Sequence, residues 1–281
     1  MNLVITHLSY TYNLHEPNAV VALRDINLTI PSGQTLGLLG PAGSGKSTLV
    51  QHLNGLLPIQ EGSLRFNDLE LTKGKSLPRH LRQKIGLVFQ FAEFGFFEEN
   101  VFDEVAFSPR QWEWSEDQIK KETLAILERI GFAVEDAESR SPFQLSGGQQ
   151  RLLALASVLV MNPEVLILDE PTVGLDAPAR RRISEIIKSI KSDNRTVIII
   201  SHDMDFIAPL VDRVVILKQG KVINDAGAFS TFTNSEILQN AGLEIPSVFR
   251  FRSQLQELGV TIPQEQLNVN ELKIVLRRMR T

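Results

Sequence analysis

Residues 40 to 48 read Gly40-Pro41-Ala42-Gly43-Ser44-Gly45-Lys46-Ser47-Thr48, a glycine and four residues followed by Gly-Lys-Ser. Glycines let the backbone curl so that successive N–H groups face inward, while Lys46 adds a mobile positive charge and Ser47 a hydroxyl suited to Mg²⁺. Such a loop is built for phosphate. Far along the chain, four apolar residues from Val165 to Leu168 lead into Asp169 and Glu170. A carboxylate leaving the end of a buried strand stands where open α/β sheets bind ligands. Asp169 with Ser47 supplies the hard oxygens that Mg²⁺ prefers beside ATP phosphates, and Glu170 can polarise a water for attack on a γ-phosphate. Leu145-Ser146-Gly147-Gly148-Gln149 precedes a helical run over 150–161. Its free amides and the positive end of the helix dipole form a second anion grip, one without a lysine of its own.

These groups need elements to hold them. Thr35 to Leu39 is a short buried strand directly before the glycine loop, and a helical run to Leu57 follows it. Upstream, Val4 and Leu8, then Leu23, Ile26, Leu28 and Ile30, ended by Pro31-Ser32-Gly33, read as two strands of a β-subdomain. Between about 92 and 160 the pattern turns helical. Ser115 and Gln118 make a capping box there, ahead of Ile119, Thr123, Ile126, Leu127 and Ile130. The strands at 165–168 and 196–200 flank a helix striped by Ile183, Ile186, Ile187 and Ile190. Strands alternating with helices imply an α/β fold with a mainly parallel sheet covered on both faces. A hairpin over 214–223, turning at Gln219-Gly220, closes that core.

After about residue 228 the pattern changes. Asn234-Ser235 caps a short helix, a second covers 247–258 and ends at Gly259, and Asn270 starts a third with Leu272, Val275, Leu276 and Met279 on one face. The expected organisation is a nucleotide-binding domain over 1–228, holding a helical subdomain at about 92–160, and a helical lobe over 229–281.

Composition excludes several classes. With 281 residues, 43% hydrophobic and 22% charged, the chain is neither disordered nor fibrous. Lys and Arg number 29 against 33 acids, a net charge of −4, which gives no electrostatic basis for sequence-independent nucleic-acid binding. The longest nearly apolar run, 152–161, is half the ~20 residues needed to span a bilayer, and residues 1–12 lack the basic start of a signal peptide. The absence of cysteine excludes disulfides and thiolate metal sites and suits a reducing cytosol.

The string at 145–149 resembles the signature sequence of ATP-binding cassette (ABC) ATPases, and the resemblance covers residues 1 to about 228. Further motifs fall in the family's order. Gln90, in Val88-Phe89-Gln90, resembles the Q-loop glutamine that touches the Mg²⁺ and water region and joins the core to the helical insertion. Gly174-Leu175-Asp176 resembles the D-loop, although Val173 stands where a small residue is frequent. His202, after Ile198-Ile199-Ile200-Ser201, resembles the switch histidine at the γ-phosphate. Tyr12 resembles the aromatic that stacks on adenine, with Tyr10 as its competitor. The resemblance implies a P-loop ATPase core that hydrolyses MgATP. It also implies two subunits facing head to tail, one chain's phosphate loop and the other's Ser146, Gly148 and Gln149 clamping the same ATP.

A narrower resemblance is carried by Gln51-His52-Leu53-Asn54-Gly55-Leu56, by 88–91 and 97–101, by Asp103-Glu104-Val105-Ala106-Phe107 and by the helical tail. These are similar to the ATPases of energy-coupling factor (ECF) transporters, which import vitamins or cobalt and nickel ions. The likeness implies a peripheral place on the cytoplasmic face of the cell membrane. Its implied partners are a second ECF ATPase, identical or related, a transmembrane coupling subunit and, through the complex, a substrate-binding membrane subunit. The tail would add contact between the two ATPases. An ABC importer that uses a soluble binding protein shares every catalytic motif and is the nearest rival. Seven of the 15 phenylalanines fall between 89 and 107, interleaved with acids. That mixture suits a groove for an apolar helix bearing basic residues, and the resemblance makes Glu93, Glu98, Glu99 and Asp103 the candidate contacts. Ala92 and Gly95 stand where Pro and Gln are common.

Overall fold

The computed structural model describes residues 1–259. The third tail helix expected from Asn270 lies outside the described residues. In chain order the strands are β1 (Leu3–Tyr12), β2 (Val20–Ile30), β3 (Thr35–Leu39), β4 (Glu61–Phe66), β5 (Leu69–Thr72), β6 (Ile85–Val88), β7 (Val165–Asp169), β8 (Thr196–Ile200), β9 (Arg213–Lys218) and β10 (Lys221–Gly227). The helices are α1 (Lys46–Leu53), α2 (Arg79–Arg82), α3 (Val101–Gln111), α4 (Glu116–Ile130), α5 (Gly147–Leu159), α6 (Ala177–Ser192), α7 (Met204–Ile207), α8 (Ala228–Thr233), α9 (Ser235–Asn240) and α10 (Ser247–Glu257).

The central sheet runs β10-β9-β3-β8-β7-β6, parallel except for the edge strand β10. Every residue of β3 and β8 is buried, because elements cover both faces, so these strands read as unbroken apolar runs. A second, antiparallel sheet runs β2-β1-β4-β5. Its period-two pattern breaks at His7 (φ 49°) and Asp25 (φ 52°), left-handed residues at irregularities in the β1–β2 register. Each extra residue resets which face is buried, giving Leu3 and Ile5, then Leu8 and Tyr10. The two bulges meet through His7 Nδ1 and Asp25 Oδ1 at 2.7 Å.

Helix α1 ends at Leu53, not at the expected Leu57. Gly55 (φ 75°) reverses the chain, and a Cβ there would lie 2.6 Å from Leu77 Cβ. The short strands β4, β5 and β6 and helix α8 escape the sequence patterns. Gly86 in β6 shows why: a Cβ would meet Val158 at 2.5 Å, so close packing of α5 on the strand excludes the β-branched residue that would mark it.

The insertion consists of α3, α4 and α5, with the Ser115–Gln118 capping box formed. Its buried side chains join those of α6, the central sheet and the final helices in one apolar cluster that includes Leu153, Ile187, Phe232 and Phe249. A second cluster, on the sheet's other face, holds Leu8, Ile26, Leu49 and Leu53. Ser247 binds Asp205 through its amide and hydroxyl, tying the start of α10 to α7.

His52 sits within that second layer, Nδ1 donating to Thr48 O at 2.7 Å and the ring edge-on to Tyr10. Burial pushes its pKa below the ordinary value, against the opposing pull of the Thr48 and Pro58 carbonyls. The unfolded chain takes up the proton near pH 6.5, the folded chain only at lower pH. Stability is therefore unaffected above that pH and falls below it, by up to about 1.4 kcal/mol per pH unit until the folded value is reached. Urea midpoints should drop more between pH 7 and pH 5 in the wild type than in His52→Gln. Equal drops would remove His52 as the source.

Candidate active site

The phosphate loop is wedged against two strands. A Cβ on Gly40 (φ 142°) would lie 2.1 Å from Leu217 O in β9, and one on Gly45 (φ 107°) 2.5 Å from Ala22 O in β2. Only glycine fits both places. Lys46 Nζ folds back to donate to Gly40 O at 2.7 Å and Pro41 O at 2.9 Å, and approaches Ser44 Oγ at 3.4 Å. The ammonium thus closes the loop into a cup at the start of α1, whose first amides have no side-chain cap.

A cleft of about 240 Å³ runs from residues 43–48 to Tyr12, flanked by Val20 and Val21. Gly40, Pro41 and Ala42 form the loop behind it. Tyr12, 36% exposed, sets its hydroxyl 3.2 Å from Thr48 Oγ1, whereas Tyr10, 8% exposed, packs edge-on between Tyr12 and His52. Of the two tyrosines, only Tyr12 lines the cleft.

Carboxylates arrive from the neighbouring strands. Ser47 Oγ donates to Asp169 Oδ2 at 3.4 Å. Burial, reinforced by the adjacent Glu170 charge, raises the Asp169 pKa, and burial lowers that of Lys46 against the pull of both carboxylates. Glu170 adopts a left-handed backbone (φ 49°), unusual for a non-glycine residue, and donates its amide to Ile200 O at 2.9 Å. Its Oε1 accepts His202 N at 3.1 Å, and its Oε2 lies 2.9 Å from His202 Nδ1. The His202 ring is 73% exposed. Gln90 is exposed two residues beyond β6, whose Val88 pairs with Leu168 of β7. Gln90, Asp169, Glu170 and His202 therefore follow the carboxyl ends of three adjacent parallel strands, and the glycine loop follows a fourth, β3.

Ser47 and Asp169 are hard oxygen donors, and among the described residues no group of three or more His, Asp and Glu side chains gathers to cage a metal. That pair fits Mg²⁺, which keeps water and phosphate oxygens in its shell, and does not fit a closed zinc site. A dication would also offset the burial and the neighbouring Glu170 charge that raise Asp169.

The signature residues stand apart from this cleft. Ser146 caps α5, its Oγ accepting Gln149 N at 3.3 Å while Gln149 Oε1 accepts Ser146 N at 3.1 Å. This capping box uses the Gln149 amide internally, leaving Gly147 and Gly148 as the amides without an intrahelical acceptor. Asp176 likewise serves as N-cap of α6, accepting Ala179 N at 3.0 Å, and a Cβ on Gly148 would meet Ala179 Cβ at 2.9 Å. Ser146, Gly148, Gln149 and Asp176 thus form a second group, and none of them lines the phosphate cleft.

The aromatic stretch is partly core and partly surface. Phe96 is buried, while Phe89, Phe91, Phe97 and especially Phe94, at 84%, are exposed. Two of the four candidate contact acids are engaged within the chain. Glu93 is ion-paired with Arg151 at 3.2 Å, and Asp103 accepts from Asn100 Nδ2 at 2.6 Å and from Arg110 at 2.7 Å. Glu104 is buried and accepts the amides of Phe97 and Glu98. Glu99 is exposed and Glu98 partly so. Nothing local in the sequence marks Arg151, which lies among strong helix formers.

The ABC transporter family model matches residues 23–173. The energy-coupling factor transporter ATP-binding protein EcfA2 of Caldanaerobacter subterraneus is 38% identical, covering 100% of this chain and 98% of the relative. EcfA2 of Symbiobacterium thermophilum is 40% identical, covering 99% of this chain and 96% of its own length. Among solved structures, cbiO1 of Clostridium perfringens, part of the ABC transporter complex cbiONQ, aligns with a TM-score of 0.71 at 33% identity, over 89% of this chain and 98% of that one. A dimeric ATP-binding cassette in a post-hydrolysis state bound to ADP and Pi aligns with a TM-score of 0.70 at 27% identity, over 80% and 98%. No helix among the described residues is long and apolar enough to cross a membrane. A loop, a carboxylate edge and a signature helix arranged in this way, in a chain alike end to end to these relatives, make it a member of the ABC transporter ATPases, within the group of ECF transporter ATP-binding proteins.

Proposed function

We propose that this chain hydrolyses MgATP between two ATPase subunits arranged head to tail, and that this energises import of vitamins or transition-metal ions through membrane partners. The observation that carries the reading is the separation of two incomplete phosphate grips. One has the cup, Lys46 and both carboxylates, and the other is an amide-rich helix end with Ser146. Facing copies, or this chain and a related ATPase, would complete each other.

In that arrangement Lys46 and the amides of residues 43–48 hold the phosphates, and Tyr12 stacks on the base. Ser47 and Asp169, together with Gln90, would hold Mg²⁺. When bound, the ion neutralises charge on the phosphate oxygens. Glu170 takes a proton from the attacking water as the bond between the γ-phosphorus and the bridging oxygen breaks, giving ADP and phosphate. His202 orients Glu170 and meets the γ-phosphate through its exposed ring. Ser146, Gly148, Gln149 and Asp176 act across the interface. The same reading divides the chain at about residue 228 and gives the lobe beyond it a dimer contact. The exposed phenylalanines, with Glu98 and Glu99, meet a basic, apolar helix of a transmembrane coupling subunit. That subunit holds a substrate-binding membrane protein and keeps the ATPase on the cytoplasmic face.

Light scattering tests the pairing. With Mg²⁺ and a non-hydrolysable ATP analogue, the chain, alone or mixed with a related ATPase from its native complex, should double in mass. Ser146→Arg should bind the analogue yet stay single. A wild-type chain that binds the analogue and never pairs would reject the arrangement.

A further inference from the structure

Arg151 lies in α5, five residues after the Ser146 cap, and is 2% exposed. Its Nη2 pairs with Glu93 Oε1 at 3.2 Å, and Glu93 is itself 13% exposed. The guanidinium sits 5.7 Å from the centre of the Phe91 ring, and Nη1 approaches Phe89 O at 3.5 Å. All three contacts fall on the short stretch that carries Gln90. Phe91 there holds a left-handed backbone (φ 58°), which a bulky residue keeps only when its surroundings fix it.

The pair is an unusual way to fill a core. Among the described residues, Arg151 Nε and Glu93 Oε2 are both buried without a hydrogen-bond partner. Taking two charges out of water and leaving one guanidinium nitrogen and one carboxylate oxygen unpaired costs more than apolar packing would. A leucine, as at 152 and 153, would serve stability better. A buried cation that pairs with one carboxylate and lies over one aromatic face does tie two segments together, however.

We propose that Arg151 is a positioning residue: it locks residues 89–97 to the signature helix, so that Gln90 and the exposed phenylalanines follow the helix end that grips ATP. The inference rests on the reading above, in which Ser146 meets ATP and the phenylalanines meet a membrane partner. It goes further by assigning the link between them to one ion pair.

Full-length wild type, Arg151→Met, Arg151→Lys, Glu93→Gln and the Arg151→Met/Glu93→Gln double variant are compared in MgATP hydrolysis and in amide hydrogen exchange. KM should stay within about twofold of wild type throughout. Each of Arg151→Met and Glu93→Gln should lower kcat by roughly tenfold or more, the double variant should be no worse than either, and Arg151→Lys should recover to within about threefold. Exchange over 89–97 should quicken by about tenfold in Arg151→Met and Glu93→Gln, while 40–48 keeps its protection by ATP. Wild-type kcat and exchange in both variants would overturn the proposal. So would an Arg151→Lys variant as impaired as Arg151→Met with a matching fall in thermal midpoint, the mark of packing alone. If Arg151→Met does not fold, Glu93→Gln, which keeps the side-chain shape, decides the matter. Failure of ATP to protect 40–48 in the wild type would instead sink the ATP-site reading, and exchange at 89–97 without nucleotide would still judge Arg151.

Discussion

Glu170→Gln should bind MgATP as the wild type does while turnover falls by about 10² to 10⁴, the usual contribution of a general base. The amide keeps the shape of the carboxylate and can still accept the His202 amide hydrogen at Oε1. It cannot take a proton from water. Because the phosphate cup depends on Lys46 and on glycines of its own loop, affinity should not change. Phosphate release and nucleotide titration measure the two quantities separately. Wild-type turnover in this variant would remove Glu170 from the base role.

Gly40→Ala should be the most damaging small substitution in the loop. Its Cβ would lie 2.1 Å from Leu217 O and 2.9 Å from Ser44 Oγ, at a φ of 142°. Leu217 belongs to β9, which is paired to β3, so the carbonyl cannot retreat without disturbing the central sheet. Backbone strain and overpacking each cost about 1–3 kcal/mol, so a loss of roughly 2–6 kcal/mol is expected. The displaced loop should also weaken ATP binding by about a hundredfold or more, since its donors no longer converge. Gly43→Ala is the internal control. With a φ of 73° and nothing within 4 Å of its Cβ, it should cost about 1 kcal/mol. Urea denaturation and ATP titration of the two variants separate strain from mere loss of a glycine. A Gly40→Ala protein with wild-type affinity would show that the loop is not rigid.

What could be read from the sequence follows from how local each cause is. The loop at 40–48 and the Asp169-Glu170 pair were legible because strand, turn and helix follow one another within a few residues, and the buried strands β3, β7 and β8 advertise themselves as apolar runs. Gln90 and His202 have no local signature, and only resemblance singled them out. The breaks in β1 and β2 come from bulges, which alternation cannot express. Glu93 and Asp103 stand among the candidate partner contacts because nothing local announces their own partners, Arg151 at a distance of 58 positions and Arg110 seven residues on, which folding supplies. Arg151 was invisible for the same reason: its burial depends on a segment that no nearby residue announces.

The grip of residue 202 on Glu170 has a consequence for the order of events. That carboxylate already carries a main-chain donor and an imidazole nitrogen, yet its oxygens keep lone pairs for a solvent molecule. Water arriving there meets an acceptor whose direction is already set.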